Sequence, residues 1–491
     1  MEADEPFLSE NEKKIVILDV EPPENPRIYL RRQILGCFAI LLAVILGSMV
    51  AGYSGILLPQ LKADDSIIKL SQEEESWIAA MAPLQMSIGC IFSTWTMDKY
   101  GRKRSNIACA FLAIIGWGII YFSKSLETLL IGRVICGLYV GLSGMSSTAY
   151  LAEICSTKYR GVALSLVALG IAGGVLVVHF LGTYLTWQTT ALVTMVLPFI
   201  VIALLIYLPE THVWYLNCNK VEEARKSFEW FPWSQRCRTK RIQSNDGKSA
   251  GPKKSLSETL AECKKQEFYH PLMILFLFFV TTQVTGTNVV TFYSVQLMQI
   301  TVPSLDRYAA MMIVDVARVV MSIVASVLTK RYRVRELLFT SSIGCVLSLF
   351  ALSGFVYMGQ TYPDNKVFTT VPLVFLMTYI LFISIGLVPL PWTVCGEILP
   401  STTKGIGGGT ACAVNFIAFF VVVKTSPFLF DVLGTHGTFA LYGVLVILGT
   451  VGLYFVLPET KNRSLQEIQD YFKPRSSKIY QSCDNANAIK Q

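Results

Sequence analysis

Apolar and polar residues fall along this chain in long blocks rather than in the short periods of a soluble helix or strand. Apolar runs cover 33–58, 76–97, 105–123, 128–151, 161–184 and 187–208. A polar stretch follows over 209–270. Six more runs cover 271–298, 308–329, 337–358, 367–395, 405–430 and 434–457. A helix needs about 20 mainly apolar residues to cross the hydrocarbon core. Membrane β-strands would instead alternate over about ten residues. The blocks therefore predict an all-α membrane protein with twelve transmembrane helices in two six-helix halves. The predicted divisions are a tail over 1–32, a first half over 33–208, a loop over 209–270, a second half over 271–457 and a tail over 458–491.

The polar segments carry helix signals of their own. Glu222 and Lys226 stand four apart, a helical pairing distance. Ser255 with Glu258, and Ser464 with Glu467, have the spacing of capping boxes. Short helices are expected at all three places. The first 32 residues are polar and charged, which predicts a cytosolic tail and not a cleaved leader.

Composition supports the membrane reading. Only 15% of the 491 residues are charged, against about 25% in soluble domains. The net charge of +8 is a matter of topology, not of nucleic-acid binding. If both termini are cytosolic, the tails and the even-numbered connections hold 34 of the 42 Lys and Arg residues. The outer side holds six: Lys62, Lys69, Lys124, Arg307, Lys366 and Lys424. Removing the long central loop still leaves 22 against six, so both termini are placed inside. The twelve cysteines are scattered, with no Cys-x-x-Cys pair and no histidine cluster. They predict packed apolar positions, not a metal or disulfide framework. No phosphate-binding loop occurs, which speaks against an ATP-driven pump. No cofactor is implied.

The halves repeat at their cytosolic edges. Glu153 and Arg160-Gly161 follow the fourth run, and Glu397 and Lys404-Gly405 follow the tenth at the same spacing. Leu208-Pro209-Glu210-Thr211 follows the sixth run, and Leu457-Pro458-Glu459-Thr460 follows the twelfth. Six-helix halves in parallel repeat form a transporter architecture with its substrate near the midplane. Opposite charges at inner helix ends can pair when a mouth closes and part when it opens. The candidate acids are Asp98, Glu153, Glu210, Glu397 and Glu459. The candidate bases are Arg102, Arg133, Arg160, Lys404 and Arg335. Topology-setting headgroup charge is the alternative reading.

These residues carry a family resemblance. Asp98-Lys99-Tyr100-Gly101-Arg102-Lys103 resembles the loop signature of the major facilitator superfamily. Gly132-Arg133, Tyr150-Leu151-Ala152-Glu153 and Arg160-Gly161 resemble the sugar-porter fourth-helix motif. The two Pro-Glu-Thr units, Gln283-Val284-Thr285-Gly286-Thr287-Asn288 and Pro389-Leu390-Pro391-Trp392 resemble further motifs of that family, in order. The match covers roughly 35 to 470. Gly182-Thr183-Tyr184-Leu185-Thr186-Trp187, the 222–230 segment and Gly396-Glu397-Ile398-Leu399-Pro400 most resemble insect facilitated trehalose transporters.

The resemblance implies a major facilitator fold and sugar contacts at Gln283, Asn288, Trp392 and Asn415, with Thr282 and Tyr293 beside them. The chemistry suits a sugar: amides donate and accept, and an indole offers an apolar face and an edge N–H. Interhelical hydrogen bonds are the other use for such amides. Pro389 and Pro391 are expected to break the tenth helix. The implied partners are a small sugar and the lipid bilayer, with no nucleic acid and no obligate protein partner. The implied location is the cell membrane.

Several positions depart from the family pattern. Thr282, Ala168, Thr94, Thr148, Phe416, Lys330 and Arg333 stand where other residues are usual. Arg318 stands where an amide is frequent, three residues after Asp315 on one helix face. The two form either a self-neutralised pair or a cavity lining. The first run has no Asp, Glu or His, which favours uniport of trehalose or a hexose. A proton symporter, with His179 or Asp315 as carrier, and a sugar sensor with little flux are the alternatives.

Overall fold

The computed structural model describes residues 16–18, 26–63, 68–231, 237–239, 264–303, 305–400, 403–459 and 465–472. Helices dominate. In order they are α1 (Pro26–Leu61), α2 (Gln72–Tyr100), α3 (Arg102–Phe122), α4 (Leu126–Ile154), α5 (Thr157–Tyr184), α6 (Trp187–Thr194), α7 (Val196–Tyr207), α8 (His212–Asn217) and α9 (Val221–Trp230). They continue as α10 (Gln266–Gln283), α11 (Thr287–Phe292), α12 (Ser294–Thr301), α13 (Arg307–Arg331), α14 (Val334–Thr361), α15 (Lys366–Ile385), α16 (Leu390–Ile398), α17 (Lys404–Val456) and α18 (Leu465–Phe472).

Among the described residues, ten helical stretches are long and apolar enough to cross a membrane. One of them, Gly405–Val456, holds 52 residues. At 1.5 Å per residue it would extend about 80 Å, well beyond the roughly 30 Å core. Gly434, at φ 68 and ψ 169, breaks it into two arms. The 271–298 run is built differently, as the three consecutive helices α10, α11 and α12. The 367–395 run divides at 386–389, with Pro389 at the N-cap of α16 and Pro391 in its first turn, so the tenth run breaks as expected.

Other differences are local. Residues 26–32, expected in a tail, are already helical. The central segment contains α8 and α9, the latter carrying Glu222 and Lys226. The Ser255 box lies outside the described residues, as does Ser464, although α18 follows it. Two three-residue strands, Val16–Leu18 and Cys237–Thr239, pair antiparallel. The sequence reading placed no strand there. The pairing joins the N-terminal segment to the central one.

Packing inside the first half rests on small residues. A Cβ on Gly137 would meet the Ala82 carbonyl at 2.4 Å, and one on Gly141 would meet the Met86 carbonyl at 2.2 Å. Helices in lipid gain little from apolar burial against each other, so close backbone approach carries their association. Between the halves, α2 lies along the first arm of α17, and α5 along α13. Substituting Gly141→Ala should push α2 and α4 apart and cost about 1–3 kcal/mol. Gly144→Ala, with nothing within 4 Å of the added carbon, is the control. Thermal unfolding of the two purified variants should show a lowered midpoint for the first alone.

Candidate functional site

Three buried or half-buried amides meet where α10 gives way to α11. The Gln283 Nε2 donates to Asn415 Oδ1 at 2.7 Å, and Asn288 Nδ2 donates to Gln283 Oε1 at 2.6 Å. The chain of amides thus joins α10, α11 and α17. Gly286, at φ 81, makes the turn between the first two. A Cβ there would meet the Tyr442 ring at 2.6 Å. Gln283 uses its amide in both directions, while Asn288 Oδ1 and Asn415 Nδ2 bond no other described residue. An acceptor and a donor therefore remain at the ends of the chain.

The neighbouring candidates divide into two kinds. Trp392 is 46% exposed and meets Phe279 edge-on, with ring centroids 5.0 Å apart. It stands free to meet a ligand. Thr282 and Tyr293 are engaged elsewhere. The Thr282 hydroxyl donates to the Leu387 carbonyl at 2.7 Å, and the Tyr293 hydroxyl to the Val423 carbonyl at 3.3 Å. Thr282 ties α10 to the break in the tenth run.

Where α2 turns into α3, the charged candidates form a tight unit. Arg102 binds Glu153 through Nη2 at 3.0 Å and Nε at 3.1 Å, with Asp98 at 3.9 Å. Glu210 accepts from the backbone N–H groups of Arg102 and Lys103 at 3.0 Å and 2.9 Å, and from Arg104 at 3.4 Å. It is an anion seated on the N-terminus of α3, where orphan N–H groups and the helix dipole favour negative charge. Gly101 at φ 95 admits it, since a Cβ there would lie 2.3 Å from Glu210 Oε2. The second half repeats the device. Glu459 accepts from the N–H groups of Val334 and Arg335 at 3.3 Å and 3.2 Å, on the N-terminus of α14.

Arg133 does not join these charges. It is fully buried, and donates to the Val50 carbonyl at 2.8 Å, to Ser54 Oγ at 2.5 Å and to the Ile78 carbonyl at 3.4 Å. It ties α4 to α1 and α2 within the first half. The side chains of Arg160 and Lys404 lie outside the described residues. Arg335 uses its guanidinium on the Tyr454 carbonyl at 2.6 Å. One oxygen of Glu397 is buried with no hydrogen-bond partner among the described residues.

Asp315 and Arg318 do not neutralise each other. Asp315 meets His179 of α5 at 2.5 Å, and Arg318 Nη1 donates to Thr291 Oγ1 at 2.6 Å. Further contacts join α2 to α17 across the halves. Lys424 donates to Ser76 at 2.6 Å and sits 4.2 Å over the Trp77 ring, and Gln72 bonds Asp431 at 2.5 Å. The Ser76–Lys424 contact carried no sequence signal, because nothing local relates the two positions. A groove of about 300 Å³ between α1 and α5, with Gln33, Cys37, Cys155 and Tyr159 on its wall, lies apart from the amides.

The family profile described as "Sugar (and other) transporter" matches residues 37–472. The chain belongs to the sugar transporter family. This family is one of multi-pass membrane transporters rather than enzymes, and a small sugar is the substrate class it implies. A relative called facilitated trehalose transporter Tret1, from Bombyx mori, is 30% identical over 445 residues, 90% of this chain and 87% of its own length. The protein of that name from Apis mellifera ligustica is 30% identical over 437 residues, again 87% of its length. In the longer Drosophila mojavensis relative, at 30% identity, the chain spans 53% of the length. Among solved structures, the proton:xylose symporter XylE superposes with a TM-score of 0.67 at 20% identity, over 89% of this chain and 99% of that one. That likeness establishes the major facilitator fold.

In this sugar transporter the Glu210 seat is expected to matter most to stability. Gly101→Ala forces a side chain into a backbone region nearly confined to glycine, at about 1–3 kcal/mol. Glu210→Gln removes the charge from three backbone donors, also about 1–3 kcal/mol. Glu459→Gln, with two longer contacts, should cost less. Unfolding midpoints of the three purified variants check the order; an equal or larger loss for Glu459→Gln would contradict it.

Proposed function

We propose that this chain is a facilitative sugar transporter that carries trehalose or a hexose by alternating access. The observation that carries the reading is the amide chain Asn288–Gln283–Asn415, with a donor and an acceptor left over at its ends, while Trp392 stands exposed against Phe279, one turn before Gln283 on α10. Sugar hydroxyls supply both partners, and the C–H face of a pyranose fits an indole. The insect relatives' name is what directs the choice towards trehalose.

In this reading the chain crosses the membrane twelve times, with halves over 33–208 and 271–457, a cytosolic loop over 209–270 and cytosolic tails over 1–32 and 458–491. The plasma membrane is its site. The second and third crossings of the second half are α13 and α14, and the first is the α10–α12 series. The cytosolic mouth opens between the Arg102–Glu153 pair of the first half and Glu397 of the second. Asp98, Arg160, Arg335 and Lys404 complete that charged rim, and Glu210 and Glu459 brace it. Arg133 instead stiffens the first half, so that it moves as one body. Gln283, Asn288, Asn415 and Trp392 hold the sugar. Thr282 and Tyr293 shape the site from behind.

Uptake of labelled trehalose and glucose into proteoliposomes tests the reading. Saturable uptake that equilibrates without accumulating, whatever proton gradient is imposed, is the expected outcome. Accumulation against the sugar gradient would overturn uniport. Gln283→Ala should cut kcat/KM at least about tenfold, since it leaves two buried amides unpaired, at roughly 1–3 kcal/mol. Tyr293→Phe should change it little. The reverse order would move the sugar away from the amides.

A further inference from the structure

Two cysteines meet beside the charged rim of the first half. Cys37 Sγ on α1 lies 3.5 Å from Cys155 Sγ. Cys155 caps α4, two residues past Glu153, which pairs with Arg102. The sulfur contact therefore sets Cys37 at the depth of that rim. Arg31 and Arg32 precede it on α1, toward the helix start.

Both cysteines line the groove of about 300 Å³ between α1 and α5. Ile34, Cys37, Phe38 and Leu41 share one face of α1, and Val162 and Leu166 stand across from them on α5. Cys155 is 1% exposed, while Cys37 is partly open. Ile34 and Val162 are 56% and 51% exposed, so the groove lies on the surface of the bundle. Its wall is almost wholly apolar, which suits lipid and not a water-filled passage.

The chemistry of the wall selects the occupant. No third histidine, cysteine or acid joins the two thiols among the described residues, so a metal ion would find two ligands at most. Cys37 is a nucleophile held at headgroup depth, open on one side and set in apolar surface. That is the setting in which a juxtamembrane cysteine takes a fatty acyl chain. The other described cysteines do not share it. Cys90, Cys109, Cys136, Cys345 and Cys412 are buried, and the exposed Cys218 lies at the end of α8, away from the groove.

We propose that Cys37 is a site of S-acylation, carrying a long-chain fatty acyl group whose tail lies in the groove between α1 and α5. The reaction is a thioester exchange. The Cys37 sulfur attacks the carbonyl carbon of a fatty acyl thioester of coenzyme A. A C–S bond forms to Cys37 as the C–S bond to the coenzyme breaks, and the thiol proton ends on the departing coenzyme thiol. No oxidant or reductant enters. The tail runs past Phe38, Leu41 and Leu166, away from the rim. From Cys37 to Leu41 is about 6 Å along α1, so the rest of a long chain continues into the bilayer. The proposal rests on the transport reading for its topology, which puts the rim in the cytosol, where the acyl donor is.

The full chain, purified from a eukaryotic host, is denatured and digested. The peptide holding Cys37 is then weighed before and after neutral hydroxylamine, which cleaves thioesters. The expected result is a peptide heavier by one long-chain acyl group, with the increment lost on treatment. Bilayer lipid that only occupies the groove leaves on denaturation, and a Cys37 peptide without increment overturns the proposal. So does a Cys37–Cys155 disulfide in its place, or an acyl increment in this region that survives Cys37→Ser. Cys155→Ser should keep the increment; its loss there alone would move the site to Cys155. Val162→Trp fills the groove and leaves Cys37 in place, so acylation should be lost. An undiminished increment in that folded variant would sink the groove as the seat of the chain. Sidedness is read separately, from an N-terminal tag on sealed cells. A tag outside overturns the topology. Absent sugar flux with an acylated Cys37 overturns the transport reading and leaves the acyl site standing.

Discussion

A backbone group that leaves its helix inside a bilayer has no water to bond, and that constraint shapes the centre of this molecule. Two runs break at membrane depth, at 284–286 and at 386–389. Each break is stitched by the other's neighbourhood. Thr282 donates to the Leu387 carbonyl at 2.7 Å, and Tyr379 to the Thr285 carbonyl at 2.9 Å. Ser341 accepts from the Leu387 N–H at 3.0 Å and donates to the Phe382 carbonyl at 2.6 Å. The broken helices are therefore one unit, and the amide cluster sits on it. Irregular backbone is tolerated here because protein covers it, and the same irregularity turns Gln283 and Asn288 toward each other.

The charged edges obey the related rule that helix ends must be satisfied. Glu210 and Glu459 bind backbone N–H groups at equivalent places in the two halves. Their partners are the first turns of α3 and α14, which move with their own halves. Such contacts persist through any rigid-body movement of the halves, which makes the repeated Pro-Glu-Thr units braces. A gate needs contacts that exist in one state and not in the other. Those seen between the halves include His179 with Asp315, Lys424 with Ser76, Gln72 with Asp431, and Thr94 with the Gly405 carbonyl.

What the sequence shows about each feature depends on its range. Long apolar blocks record the solvent around a helix, so the helical architecture was legible from them. The Pro389–Pro391 break was legible because proline cannot donate to its helix. The division of 271–298 into three helices was not, since no proline follows Pro271 in that stretch to mark a break and its glycine at 286 is a single residue. Asp315 and Arg318 show the limit best. Their spacing suggested a pair on one helix, because only neighbours along a helix are visible in a single chain of letters. The actual partners, His179 and Thr291, stand 136 and 27 residues away. Arg133 was grouped with the edge charges for the same reason: its charge is legible, but its depth among α1, α2 and α4 is not. The amides were found through family resemblance, while their mutual hydrogen bonds came only from the fold.

The division of labour between neutral and titratable groups has a physical logic. Amides and an indole carry no charge, so an uncharged ligand such as a sugar can bond them without the desolvation of an ion. The structure places the neutral chemistry at the break between α10 and α11 and the titratable pair between α5 and α13, on separate helices. Arg318 lies between them, bonded to Thr291 one turn beyond Asn288 and one turn along α13 from Asp315. It thus bonds the helix that carries Asn288 to the helix that carries Asp315.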